Sequence, residues 1–155
     1  MGKLAERISD FGRGGVYRIA TAEALEEAAA LNGFPLLRVA LDEVATKADL
    51  LRVVARSAAF PDRIGWNWEG LADGLADLSW APAPGYVLLV SGFEGLQRAV
   101  PENFARLLES LHEAAARWRE SRRPFFVAFL DPGGAALLAP LYDWNKRRSG
   151  ATGSQ

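Results

Sequence analysis

The sequence predicts an α/β fold: a three-stranded parallel sheet packed by helices. Three observations predict it. Leu36 to Val44, Tyr86 to Phe93 and Pro124 to Asp131 are short, nearly continuous apolar runs, the pattern of strands buried on both faces. Long stretches with helical periodicity separate these runs, and a parallel pairing needs a crossover of about a dozen residues or more. The chain has 155 residues, 50% of them hydrophobic, which suffices for one domain around one core.

In chain order, Leu4, Ile8 and Phe11 fall at helical intervals, so Lys3 to Phe11 starts as a helix. Gly12, Gly14 and Gly15 then break the chain, and Val16 to Ala20 forms a short strand that can cover a sheet edge. Thr21 is an N-cap for a helix reaching about Leu31, and Asn32-Gly33 stops it. Residues 1–35 are therefore a helix/strand/helix extension of the same domain, and residues 36–131 are its core. In the core, Thr46 caps a helix that puts Leu50, Leu51, Val54 and Ala58 on one face. Pro61 ends it, because the residue before a proline is disfavoured in the α conformation. Asn67 caps a third helix reaching about Ser79, and the turn Ala81 to Gly85 follows. Beyond the Tyr86 strand, Glu102 to Glu120 is amphipathic: Phe104, Leu107, Leu108, Leu111, Ala115 and Trp118 form one stripe. The tail, residues 132–155, is partly flexible: Leu137 to Trp144 is apolar enough to dock, whereas Lys146 to Gln155 reads as disordered.

Composition removes several function classes. There is no cysteine, so disulfides, thiolate nucleophiles and Cys-ligated metals are excluded. Met1 to Phe11 carries charges throughout, unlike a secretory signal, and no apolar run approaches the roughly 20 residues of a membrane span. A cytoplasmic protein is expected. The net charge of −1 lacks the basic excess of a nucleic-acid binder. The single histidine, His112, has no partner for metal binding or nucleophilic catalysis, and Ser57, Ser79, Ser91 and Ser110 lack a nucleophile-elbow context. No enzyme, cofactor or metal is expected. Arg117, Arg119, Arg122 and Arg123 cluster where cations complement a helix dipole, and Lys146-Arg147-Arg148 is a short basic run in the tail.

The informative segment is Gly65-Trp66-Asn67-Trp68-Glu69-Gly70-Leu71-Ala72-Asp73-Gly74-Leu75-Ala76-Asp77-Leu78. At about 100° per residue, Asp73 and Asp77 fall about 40° and 80° from Glu69, with Gly70 and Gly74 beside them and Trp68, Leu71, Leu75 and Leu78 opposite. Like charges four residues apart are mildly unfavourable, and a glycine inside a helix costs about 1 kcal/mol relative to alanine. A basic partner that approaches the backbone closely accounts for both features, since clustered carboxylates focus negative potential. A plain solvated face, with acids favoured near a helix N-terminus, fits the same pattern. Trp68 reads as core, and Trp66, in the turn, as the aromatic most suited to an interface.

The run from Phe60 to Asp73 resembles the barstar family of ribonuclease inhibitors. The resembling pattern is hydrophobe, Pro61, acid, two variable residues, Gly65, variable, Asn67, aromatic, acid, small, Leu71, variable, Asp73, within a strand and helix order covering about Leu36 to Asp131. The resemblance implies a barstar-like fold and a protein that blocks a basic, barnase-type ribonuclease, its helix acids mimicking RNA phosphates. It assigns Asp73 to the aspartate that meets the enzyme's phosphate-binding cations, Glu69 to the first acid of that face, and Glu113 on the long helix to a further acidic contact. With Asp77, Gly70, Gly74, Asn67 and Trp66, these are the candidate partner-binding residues; none is catalytic. A monomer that binds protein rather than nucleic acid or membrane is expected. Arg63, Ala72, Ala76 and Leu78 depart from the contact residues of the family's best-known member. The alternative is a non-inhibitory protein-interaction module on the same fold.

Overall fold

The computed structural model describes residues 2–142. The elements are α1 (Lys3–Ile8), β1 (Gly15–Ile19), α2 (Ala22–Asn32), β2 (Leu36–Ala40), α3 (Lys47–Ser57), α4 (Trp68–Asp77), β3 (Tyr86–Ser91), α5 (Glu94–Ala99), α6 (Pro101–Glu120) and β4 (Phe125–Leu130). The sheet is entirely parallel in the order β1-β4-β3-β2. It therefore has four strands, not the expected three. The addition is β1, which pairs with β4 in the register Val16↔Val127, a partner too remote in sequence for a local pattern to reveal. The glycines before it are part of the pairing rather than only a break. A Cβ on Gly14 would lie 2.9 Å from the Phe125 carbonyl oxygen, and Gly15 is the first residue of the strand.

Strand side chains alternate between faces, so the sheet carries two cores. Tyr86, Leu88, Val90, Phe125, Val127 and Phe129 pack beneath α3, α4, α5 and α6. Val87, Leu89, Phe126 and Ala128 face the other way, against Ile8, Leu25, Ala28 and Leu141. β3 and β4 are thus buried on both sides, which is why their sequences are almost wholly apolar. Residues 2–33 supply the second helical layer: the Asn32 amide ties α2 to α1 by donating to the Ala5 carbonyl at 2.9 Å. The tail protects the outer edge of β1: Arg18 N–H donates to Ala139 at 2.9 Å, and Leu141 N–H to Arg18 at 2.8 Å. Within the expected docking segment, Leu141 is buried and Leu137 is exposed. Trp144 and the basic and disordered stretches expected from Lys146 onward lie outside the described residues.

Several boundaries differ from expectation: β2 ends at Ala40 rather than Val44, and α1 ends at Ile8 rather than Phe11. α4 stops at Asp77 rather than Ser79 because Leu78 adopts the left-handed conformation, φ 49°. The helix α5 was not expected; six residues are too few to show a period. No helix among the described residues is long and apolar enough to cross a membrane.

The second layer makes a testable demand. Leu25 on α2 has no exposed surface. Leu25→Ala is expected to lower unfolding stability by about 2–5 kcal/mol in urea while the transition stays single. An unchanged midpoint would mean that the N-terminal layer is dispensable to the core.

Candidate functional site

The acidic helix α4 is held at both ends. At its start the Asn67 side chain accepts the Gly70 N–H at 2.6 Å, the expected cap. Trp68, Leu71, Ala72 and Leu75 are buried beneath it. Near its end the Trp118 indole on α6 donates to the Leu75 carbonyl at 2.8 Å, and the Tyr86 hydroxyl donates to the Ala81 carbonyl at 2.6 Å just beyond. Trp118 itself stacks on Phe125 of β4, with ring centroids 6.0 Å apart.

With its apolar side fixed, the helix presents Glu69, Asp73 and Asp77 to solvent. The structure brings Glu113 of α6 to the same place through a cation. The Arg117 Nη1 donates to Asp73 at 2.9 Å and to Glu113 at 3.2 Å. Asp77 pairs with Arg63 at 3.3 Å, and the Arg63 guanidinium lies 5.5 Å from the Trp80 ring centre. Glu69 has no ion pair among the described residues. The Asp73 hydrogen bond, with Glu113 adding to it, raises the Arg117 pKa above its ordinary value. These pairs are solvent-exposed, with side-chain exposures of 43% for Arg117 and 55% for Asp73. Each contributes about 0–1 kcal/mol to stability.

The two glycines of α4 also have a reason inside the molecule. A Cβ on Gly70 would lie 2.1 Å from the Gly65 carbonyl oxygen, and one on Gly74 would lie 2.5 Å from the Phe60 ring. Gly74 is buried. The glycines let α4 sit tightly on the loop that precedes it. Of the positions that depart from the family pattern, Ala72 and Leu78 are buried in the core, Ala76 is half-buried and Arg63 is exposed.

The remaining aromatics sort cleanly. Trp68 is core, flanked by Lys47 and Arg106 over its ring at 6.0 and 5.5 Å. Trp66 is 60% exposed in the turn just before α4. It lines a cleft of ≈ 50 Å³ with Leu51, Phe60, Pro61 and Ile64, against the ~300–1,000 Å³ typical of small-molecule sites. His112 is exposed on α6. Among the described residues, no three His, Asp or Glu side chains gather as a metal site. The arginines at the end of α6, expected to serve its dipole, make specific tertiary contacts: Arg117 to Asp73, Arg119 to the Gly14 carbonyl at 2.7 Å, and Arg123 to the Ala83 carbonyl and the Trp118 ring. Sequence reading missed Arg117 as a site residue; its spacing of four from Glu113 was the available signal.

The family model for Barstar (barnase inhibitor) matches residues 34–130. The chain belongs to the barstar family. The match runs from just before β2 to the end of β4, so the barstar-family region is the sheet β4-β3-β2 with α3 to α6, the acidic helix included. The second helical layer, β1 and the tail lie outside it. No curated protein matches the chain. The family is described by an inhibitor rather than by an enzyme.

The packing of Gly74 gives a direct check. Gly74→Ala is expected to destabilise the fold by about 1–3 kcal/mol, since the new methyl group overpacks Phe60. Gly95→Ala in α5, where a Cβ meets nothing within 4 Å, should stabilise by up to about 1 kcal/mol. Melting temperatures of the two variants test this; equal, unchanged values would contradict the packing account.

Proposed function

We propose that this barstar-family chain inhibits a basic ribonuclease of the barnase type by seating the acidic face of α4 in the enzyme's active site. The observation that carries the reading is the convergence of four exposed carboxylates, Glu69, Asp73, Asp77 and Glu113, on one side of the α4–α6 pair, with exposed Trp66 in the turn that leads into α4. Asp73 sits between Glu69 and Asp77 on the helix wheel, so it takes the central role: accepting charge-assisted hydrogen bonds from the cations that otherwise hold RNA phosphate. Glu69 and Asp77 flank it, Glu113 adds a contact from α6, and Trp66 supplies an aromatic rim. Asn67, Gly70 and Gly74 contribute by fixing the helix. No bond is made or broken; inhibition is occlusion. The acidic field steers a basic enzyme into place and rejects RNA, so the chain recognises protein and not nucleic acid. Such a monomer, acting as an antitoxin in the cytoplasm of a nuclease-producing or nuclease-exposed cell, loses nothing in a reducing compartment because it has no cysteine.

One observation favours the other reading, a non-inhibitory interaction module. Two of the four carboxylates already hold Arg117, and a third holds Arg63. Titrating the chain into a barnase-type ribonuclease while following RNA cleavage separates the two. Stoichiometric inhibition is expected, and Asp73→Ala should weaken it by at least ~2 kcal/mol, the threshold of an interface hot spot. Inhibition that Asp73→Ala leaves intact would remove the central role of this carboxylate, and no inhibition at all would favour the module.

A further inference from the structure

Arg117 occupies a peculiar place. It lies on α6 but directs its guanidinium to Asp73 on α4, the carboxylate assigned above to receive a nuclease cation. The same nitrogen, Nη1, serves Asp73 Oδ1 at 2.9 Å and Glu113 Oε2 at 3.2 Å. The placement is not a matter of a loose surface side chain finding a neighbour. The next residue, Trp118, is buried and hydrogen-bonded to Leu75, two residues beyond Asp73, so the backbone at position 117 is fixed beside α4.

We propose that Arg117 is a specificity-determining residue, a cation supplied within the chain that competes with the partner's cations for Asp73. The proposal rests on the reading of this face as a nuclease-binding surface. Two effects follow from the geometry. An incoming cation must displace Arg117 from Asp73 Oδ1 or bind the oxygen left over, and it meets a like charge within hydrogen-bonding range of its target. Both effects require a partner to bring enough positive charge at this point to displace Arg117, and that requirement is the specificity it imposes. Displacement is feasible because the pair is exposed and its net stabilisation is small. Arg63 on Asp77 works in the same sense one turn further along, but from a less direct 3.3 Å contact. Of the face's four carboxylates, Glu69 is then the one a partner meets uncontested.

The test measures binding of a catalytically inactive barnase-type ribonuclease and, in parallel, of an octa-arginine peptide. The chains compared are the wild type, Arg117→Gln, Arg117→Lys, Asp73→Asn combined with Arg117→Gln, and Arg52→Gln. The last removes a cation that pairs with Asp49 on α3 and with none of the four carboxylates. Arg117→Gln should bind both probes about five- to tenfold more tightly, with wild-type affinity in Arg117→Lys. The gain should be lost when Asp73 is also neutralised, and Arg52→Gln should produce little of it. Tighter binding of the peptide by Arg117→Gln while every variant ignores the ribonuclease would keep the competition by Arg117 and overturn the barnase-type reading. Affinity unchanged or weakened in Arg117→Gln for both probes, or an equal gain in Arg52→Gln, would overturn the proposal. Melting temperatures within a few degrees of wild type confirm that the variants compared are folded.

Discussion

The buried hydrogen bond from the Trp118 indole to the Leu75 carbonyl determines where the acidic face can be. A helix of ten residues is marginal by itself, and the carbonyls of its last turn have no partner within it. Left unpaired in the interior, the Leu75 carbonyl would cost about 1–3 kcal/mol. Trp118 satisfies it, and stacking on Phe125 and tilting against Tyr86 ties the same indole to β4 and β3. One side chain therefore fixes α4 to α6 and both to the middle of the sheet. Because Arg117 precedes it and Glu113 lies one turn before that, the same contact decides which charges meet Asp73. The site's electrostatics follow from a packing constraint.

That constraint explains which parts of the site were legible in the sequence. The helix period placed Glu69, Asp73 and Asp77 on one side and Trp68, Leu71 and Leu75 on the other, and Asn67 declared the cap; these depend only on neighbours a few residues away. What could not be read depends on contacts across the fold. The glycines carried a cost that demanded a reason, and one reason, close packing on Phe60 and the Gly65 carbonyl, lies inside the molecule where no local pattern shows it. The Arg117 cluster matched a helix dipole locally, while its actual partner, Asp73, sits on another element. The fold divides the same way. The strands β2, β3 and β4 announced themselves by apolar runs, and their parallel arrangement followed from the crossovers. β1 was legible as a short strand able to cover an edge, but the strand it pairs with, β4, lies too far along the chain for a local pattern to show.

The architecture also separates two tasks. The family-matched region, residues 34–130, contains the whole acidic face and everything that positions it. The N-terminal helices cover the opposite side of the sheet, and the described part of the tail closes the β1 edge, with Leu141 in that second core and Ala136 and Leu138 against the first. The acidic face is free to carry like charges because its stability is supplied from beneath. Its pairing with Arg117 and Arg63 lowers the repulsion among its carboxylates and, by the same contacts, lowers the potential a partner feels.

The surface proposed to meet a basic ribonuclease is the solvent side of α4, held by Trp118. Amide-hydrogen exchange of the chain, free and with an inactive barnase-type enzyme, tests it most directly. The account predicts new protection confined to the segment from Gly65 to Leu78 and the Glu113 turn of α6, with α1 and α2 unchanged. Protection centred on α1, α2 or the β1 edge, with α4 unaltered, would contradict it.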